Sequence, residues 1–184
     1  MPILPRERSL LPDDMFADER VRYRGSRWSV IHTRPRAEKA LARHLSRDGT
    51  PFFLPLFQKV SRQQRRTIET WLPLFPGYVF ILADREQLSA VFMTNLVANC
   101  LAVDDQQRLR NDLKCVHNLI ESGASLSPEE RLQQGMEAEI IAGPLKGHRG
   151  IVLRRRSGLR FVLQVNFLQQ GASIEVDGSL IRQI

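Results

Sequence analysis

The side chains that could act as nucleophiles, proton carriers or metal ligands are few and scattered. Histidines stand at 32, 44, 117 and 148, without metal-ligand spacing and without a paired nucleophile. Cys100 and Cys115 lack CxxC spacing and accompanying histidines, so they read as reduced core residues of a cytosolic protein. The acidic residues form no Asp-x-Asp or comparable metal arrangement, and no glycine-rich loop could cradle a phosphate. The sequence therefore predicts no catalytic residue, no metal and no cofactor.

Basic side chains offer a different chemistry. The chain carries 27 Lys+Arg against 20 Asp+Glu, a formal net charge of +7, and its pI of about 10.2 favours an anionic partner. Arg36, Lys39, Arg43 and Arg47 are spaced by three, four and four residues. On a helix they would form one stripe, with Arg34 just before it. Such a stripe can meet phosphates, but a solvated helix face has the same pattern. Lys59, Arg62, Arg65 and Arg66 form a second cluster, open to the same two readings. Arg154-Arg155-Arg156 form a third, either an RNA contact or a solvated turn.

These groups need elements to position them. A chain of 184 residues that is 42% hydrophobic can bury one large core or two small ones. No apolar run approaches the roughly 18 residues that cross a bilayer, and Asp13, Asp14, Asp18 and Glu19 interrupt any secretory h-region. Residues 1–26 mix Pro, Arg and acidic residues and predict a poorly ordered extension. Trp28 to Thr33 alternates as a strand. Ala37, Ala40, Leu41 and Leu45 repeat as a helix closed by Gly49. Phe52 to Phe57 predicts a strand, Gln58 to Arg66 a basic connection, and Thr67 to Leu72 the way back to an apolar turn. A helix from Asp84, a strand over 96–103 and an amphipathic helix ending at Gly123 follow. Residues 123–134 have linker composition. Beyond Gly135 the period becomes two, with strand candidates at 136–142, 149–154, 160–167, 172–176 and 180–183, which suggests a small curved barrel.

Two motifs carry most of the information. Leu74-Phe75-Pro76-Gly77-Tyr78-Val79-Phe80-Ile81 is a chain-turning pair set in an apolar and aromatic run. Gly135 to Val152 places glycines at 135, 143, 147 and 150, with Pro144 after the second, among alternating apolar residues. The latter resembles the KOW motif. Together with a Trp-led first strand and the Phe-Pro-Gly-Tyr turn, it makes residues 27–184 resemble the NusG family of transcription elongation factors.

The resemblance implies an α+β protein: an NGN domain at 27–122, a linker at 123–134 and an SH3-like KOW barrel at 135–184. It implies a monomeric factor that binds RNA polymerase in the cytoplasm and disfavours its paused state without chemistry of its own. Trp28, Phe75 and Tyr78 match the family's apolar polymerase-binding surface, although the same rings could be core aromatics. Arg34, Arg36, Lys39, Arg43, Arg47, Lys59, Arg62, Arg65 and Arg66 become candidates for contact with non-template DNA.

The match departs from the housekeeping pattern at two places. Leu168-Gln169-Gln170 stands where housekeeping members carry Phe-Gly-Arg, and Leu145 replaces a usual Phe. A leucine keeps apolar area but loses ring stacking, which puts contact with a small-subunit ribosomal protein or with Rho in doubt. The chain looks more like a specialised, RfaH-like paralogue. Housekeeping NusG and a KOW-bearing ribosomal RNA-binding module are the alternatives.

Overall fold

A computed structural model describes residues 7–16, 25–63, 66–123, 126–129, 135–143, 145–155, 158–165, 168, 170–176 and 180–184. The chain divides into two compact units, Met1–Gln106 and Gln107–Ile184.

In the first unit, strands β1 (Leu10–Leu11), β2 (Arg27–Thr33), β3 (Phe52–Phe53), β6 (Tyr78–Ala83) and β7 (Val97–Leu101) pair in the order β1-β3-β6-β2-β7. Every pairing is antiparallel. Helix α1 (Glu38–Asp48) buries Leu41, Ala42 and Leu45 at the spacing of one helical face. It ends at Gly49, whose left-handed conformation returns its N–H to the Leu45 carbonyl. Helix α2 (Arg85–Phe92) starts at Asp84. There the Asp84 carboxylate accepts from Gln87 N–H, and the Gln87 side chain accepts from Asp84 N–H. Ile31, Leu41, Leu45, Phe52, Leu54, Val79 and Ile81 meet in the core.

Strands β4 (Leu56–Gln63) and β5 (Arg66–Pro73) form a separate two-stranded ribbon, in register from Leu56↔Pro73 to Gln63↔Arg66. The basic connection expected over 58–66 is therefore hairpin for most of its length. Its outer part lacks a core-facing side, with Val60 58% exposed, so the alternation that betrays a half-buried strand is missing.

The expected disorder of residues 1–26 also needs correction over 7–16. Leu10 and Leu11 pair with Phe53 and Phe52, the Ser9 carbonyl accepts from Leu54 N–H at 2.7 Å, and Met15 and Phe16 are buried. Few apolar residues suffice here, because the edge of β3 supplies both backbone partners and an aromatic surface.

The second unit opens with α3 (Gln106–Glu121), which begins at the boundary and buries Leu109, Leu113, Val116 and Leu119. Among its described residues, β8 (Ser127–Glu129), β9 (Met136–Ile140), β10 (Arg149–Arg155), β11 (Gly158–Val165), β12 (Gln170–Val176) and β13 (Ile181–Gln183) form one antiparallel sheet. Their order is β13-β9-β10-β11-β12-β8. The five strands expected after Gly135 are all present. Strand β8 is an addition, drawn from the stretch read as linker and paired with β12.

Candidate docking site

The turn at 75–78 joins the basic ribbon to the central strand β6. Proline at its second position fixes one backbone angle, and glycine at its third takes φ +85°. Tyr78 N–H closes it onto the Phe75 carbonyl at 3.1 Å. These are the marks of a type II turn, which a residue with a β-carbon at position 77 would strain.

Three further bonds hold the turn from outside. Glu38, 8% exposed in the first turn of α1, accepts Gly77 N–H on its Oε1 at 2.7 Å. The Gly77 carbonyl accepts Thr33 N–H at 2.8 Å and the Thr33 hydroxyl at 3.4 Å. The C-terminal end of β2 and the first turn of α1 thus fix both peptide groups of Gly77, while Pro76 beside it stays exposed.

This arrangement sorts the aromatic residues. Phe75 is 1% exposed and meets Phe80 edge to face at 5.9 Å. Trp28 is 5% exposed and lies parallel to Phe16 at 6.1 Å. Trp28 N–H donates to Gln106 Oε1 at 2.6 Å, while its carbonyl accepts from Gln106 Nε2 at 3.0 Å. Both rings are core residues, so their expected part as surface anchors is corrected. Tyr78 differs. It is half-buried and stacks at 5.1 Å on His32, its cross-strand partner in β2, and His32 is itself exposed.

His32 escaped the sequence reading because it was weighed only as a metal ligand or base. Its exposure breaks the period-two alternation from the buried Val30, and its place beside the turn comes from the pairing of β2 with β6, His32 opposite Tyr78. Glu38 and Thr33 also escaped, since their partner is a backbone group that no side-chain pattern announces.

The basic candidates separate in the same way. Arg34 and Arg36 are exposed in the turn between β2 and α1, with Arg36 at φ +62°. Lys39 is half-buried, and its Nζ donates to the Trp71 carbonyl at 2.6 Å. It therefore fastens α1 to β5 rather than facing outward with the stripe. Arg43 is ion-paired with Glu7, and Arg47 is exposed in the last turn of the helix. Lys59 is exposed on β4. Arg62 and Arg66 lie in the two strands of the ribbon, and Arg65 lies outside the described residues.

In the second unit, Gly135 immediately precedes β9, and Gly143 and Gly147 lie in the turn between β9 and β10. Pro144 lies outside the described residues. Gly150 is in β10, where a β-carbon would stand 2.4 Å from the Val162 carbonyl oxygen and 2.7 Å from Phe161 Cζ. Close approach of β11 demands glycine there. Leu145 is buried, and Leu168, between β11 and β12, is half-buried.

Burial raises the thiol pKa of Cys100, with a hydrogen bond involving Ser29 opposing, and that of Cys115, with Asp112 adding to the rise. Neither is set up as a thiolate nucleophile. Burial also lowers the His117 pKa, partly opposed by Glu121. Among the described residues, no group of three or more His, Cys, Asp or Glu could hold a metal ion, and no helix is long and apolar enough to cross a membrane.

The family model described as "Transcription termination factor nusG" matches residues 26–117. No curated protein matches the sequence. Among solved structures, the chain is similar to one in the "Crystal Structure of MjSpt4:Spt5 complex conformation B". That likeness has 16% identity and a TM-score of 0.26, and covers 85% of this chain and 96% of the other.

Proposed function

This chain belongs to the NusG family of transcription factors, and from that premise we propose that it binds RNA polymerase through the Tyr78–His32 pair and acts in elongation. The observation that carries this reading is the turn itself. It is fastened by Glu38 and Thr33, yet leaves Pro76, Tyr78 and His32 at the surface. A pre-organised aromatic anchor loses little entropy on docking, and a few such residues supply most of an interface's affinity.

Arg34, Arg36 and Lys59, exposed within the same unit, supply the contacts to non-template DNA. A factor of this kind needs only unequal affinity for two polymerase states, and the chemistry stays with the polymerase. Residues 27–122 serve as the NGN domain and 135–184 as a KOW barrel. The leucines at 145 and 168 support a specialised, RfaH-like antiterminator over a ribosome- or Rho-coupled factor.

The test is retention of core RNA polymerase by the full chain and by His32→Ala/Tyr78→Ala. Loss of two anchors at a hot spot costs roughly 2–4 kcal/mol, so retention should fall well over tenfold while the far-UV spectrum is unchanged. Equal retention by the folded double variant would refute the docking site. Read-through on two templates, one from the neighbouring operon and one unrelated, then tests the specialist reading. Equal effects on both would defeat it.

A further inference from the structure

A notch of about 460 Å³ lies between the N-terminal strap and α1, lined by Glu7, Arg8, Ala42, Arg43, Ser46 and Arg47. Its walls carry three guanidinium groups and one carboxylate. Arg8 is pinned by its own loop, donating through Nε to the Leu10 carbonyl and through Nη2 to Asp13, both at 2.9 Å. Arg43 is held by Glu7. Arg47 reaches back only to the Arg43 carbonyl, at 3.4 Å. With Asp13 and Glu7 paired to Arg8 and Arg43, the notch keeps a surplus of one positive charge, on Arg47, beside two guanidinium groups that are already oriented.

A second observation points the same way. The Ser46 hydroxyl oxygen is buried and has no hydrogen-bond partner, although helical serines commonly bond back to the preceding turn. A buried polar atom left unpaired calls for an explanation; Ser46 lines the notch, and rotation about its χ1 bond to another staggered position would turn the hydroxyl toward an oxygen-rich ligand there. One feature opposes an anion here: the notch lies along the C-terminal half of α1. That helix end carries only about half a negative charge, which the surplus guanidinium charge of Arg47 outweighs.

We propose that this notch binds a phosphate monoester of mononucleotide size, with the arginines clamping the phosphate and Glu7 accepting from the attached sugar or base. Arginine forks suit the three terminal oxygens of a monoester, and the volume exceeds what a bare phosphate needs. The source is either a free nucleotide or the 5′-phosphorylated end of a nucleic-acid strand. The site uses part of the chain that precedes the matched family segment, and it is independent of the Tyr78–His32 docking reading.

Titration calorimetry of the full chain distinguishes the sources, using AMP, a 5′-phosphorylated single-stranded oligonucleotide and its unphosphorylated twin. Saturable binding of AMP identifies a nucleotide site, whereas preference for the phosphorylated over the plain oligonucleotide without AMP binding identifies a strand end. Either should weaken about tenfold in Arg47→Ala, the loss of one charge-assisted bond. Arg47→Lys, which keeps the charge and should fold, must weaken it too if fork geometry matters. Ser46→Ala should weaken it less. Equal binding of the two oligonucleotides with no response to AMP, or binding indifferent to Arg47→Lys and Arg47→Ala, would overturn the proposal. Polymerase retention by these variants should be unchanged, and His32→Ala/Tyr78→Ala should bind AMP normally.

Discussion

Removing the Glu38 carboxylate should loosen the docking turn and destabilise the first unit together. In Glu38→Ala the Gly77 N–H loses its 2.7 Å acceptor. A hydrogen bond to a charged group contributes about 1.5–3 kcal/mol. The carboxylate also sits in the first turn of α1, where the helix dipole adds about 0.3–1 kcal/mol. Gly77 is only half-buried, so water recovers part of the first term. A net loss of about 1.5–2.5 kcal/mol results. Glu38→Gln retains an acceptor oxygen and should lose about 1 kcal/mol or less. Both tryptophans, Trp28 and Trp71, lie in the first unit, so urea unfolding followed by their fluorescence reports this unit selectively. Polymerase affinity should fall in the same order, Ala more than Gln, because Tyr78 is held through the same turn. Unfolding of Glu38→Ala within about 0.5 kcal/mol of the parent, the usual scatter of surface substitutions, would refute the reasoning.

Two other outcomes are expected. Gly150→Ala should destabilise the second unit by about 1–3 kcal/mol, the usual cost of overpacking, because the new carbon meets the Val162 carbonyl at 2.4 Å. Amide exchange across β10–β11 should accelerate, while tryptophan fluorescence stays unchanged. Burial keeps His117 neutral in the fold, with its pKa lowered, whereas the unfolded chain takes a proton near the ordinary value of about 6.5. Its stabilising contribution is therefore complete above that value and is lost as pH falls from it through the lowered folded value. A His117→Gln chain should show a smaller drop in urea midpoint, by circular dichroism, between neutral and mildly acid pH.

Elements with a buried face were legible in the sequence. Leu41 and Leu45, Leu109 and Leu113, and the alternating residues of β2 and β9 to β12 announce themselves because burial imposes a period. The ribbon of β4 and β5 did not, since Gln58 to Val60 and Thr67 to Thr70 are exposed on both faces and Gln58 to Arg66 reads as a connection. Phe16 was equally silent. Its worth lies in Trp28 and Phe53, which it meets at 6.1 and 5.2 Å and which stand far along the chain. At the candidate site, the Pro76-Gly77 pair marked the position of the turn, and its type follows from the Gly77 conformation and the Tyr78–Phe75 bond. Which aromatic faced outward depended on tertiary packing: Phe75 turned in toward Phe80, and Tyr78 stayed half out against His32. The arginine stripe was right as a helical geometry only for Lys39, Arg43 and Arg47, since Arg36 precedes α1 at φ +62°, and wrong as a uniform face, because Lys39 had a carbonyl within reach and Arg43 a carboxylate.

Strand order in the first unit bears on how it emerges from the ribosome. Both β2 and β3 pair with β6, and β1 pairs only with β3. Three strands and helix α1 are therefore synthesised before the strand that joins them, and the β4–β5 ribbon is the one local pairing among the described strands of this unit. Until Tyr78 to Ala83 leaves the exit tunnel, Trp28 has no strand to pair with, and Phe52 and Phe53 have only the two residues of β1, since non-local contacts return nothing until the intervening loop has closed. The Phe75-Pro76-Gly77-Tyr78 turn sits immediately ahead of that strand. Its arrival lets β1, β3, β6 and β2 join in one step, with β7 still to add at the edge of β2, so a nascent chain gains this turn only together with most of its sheet.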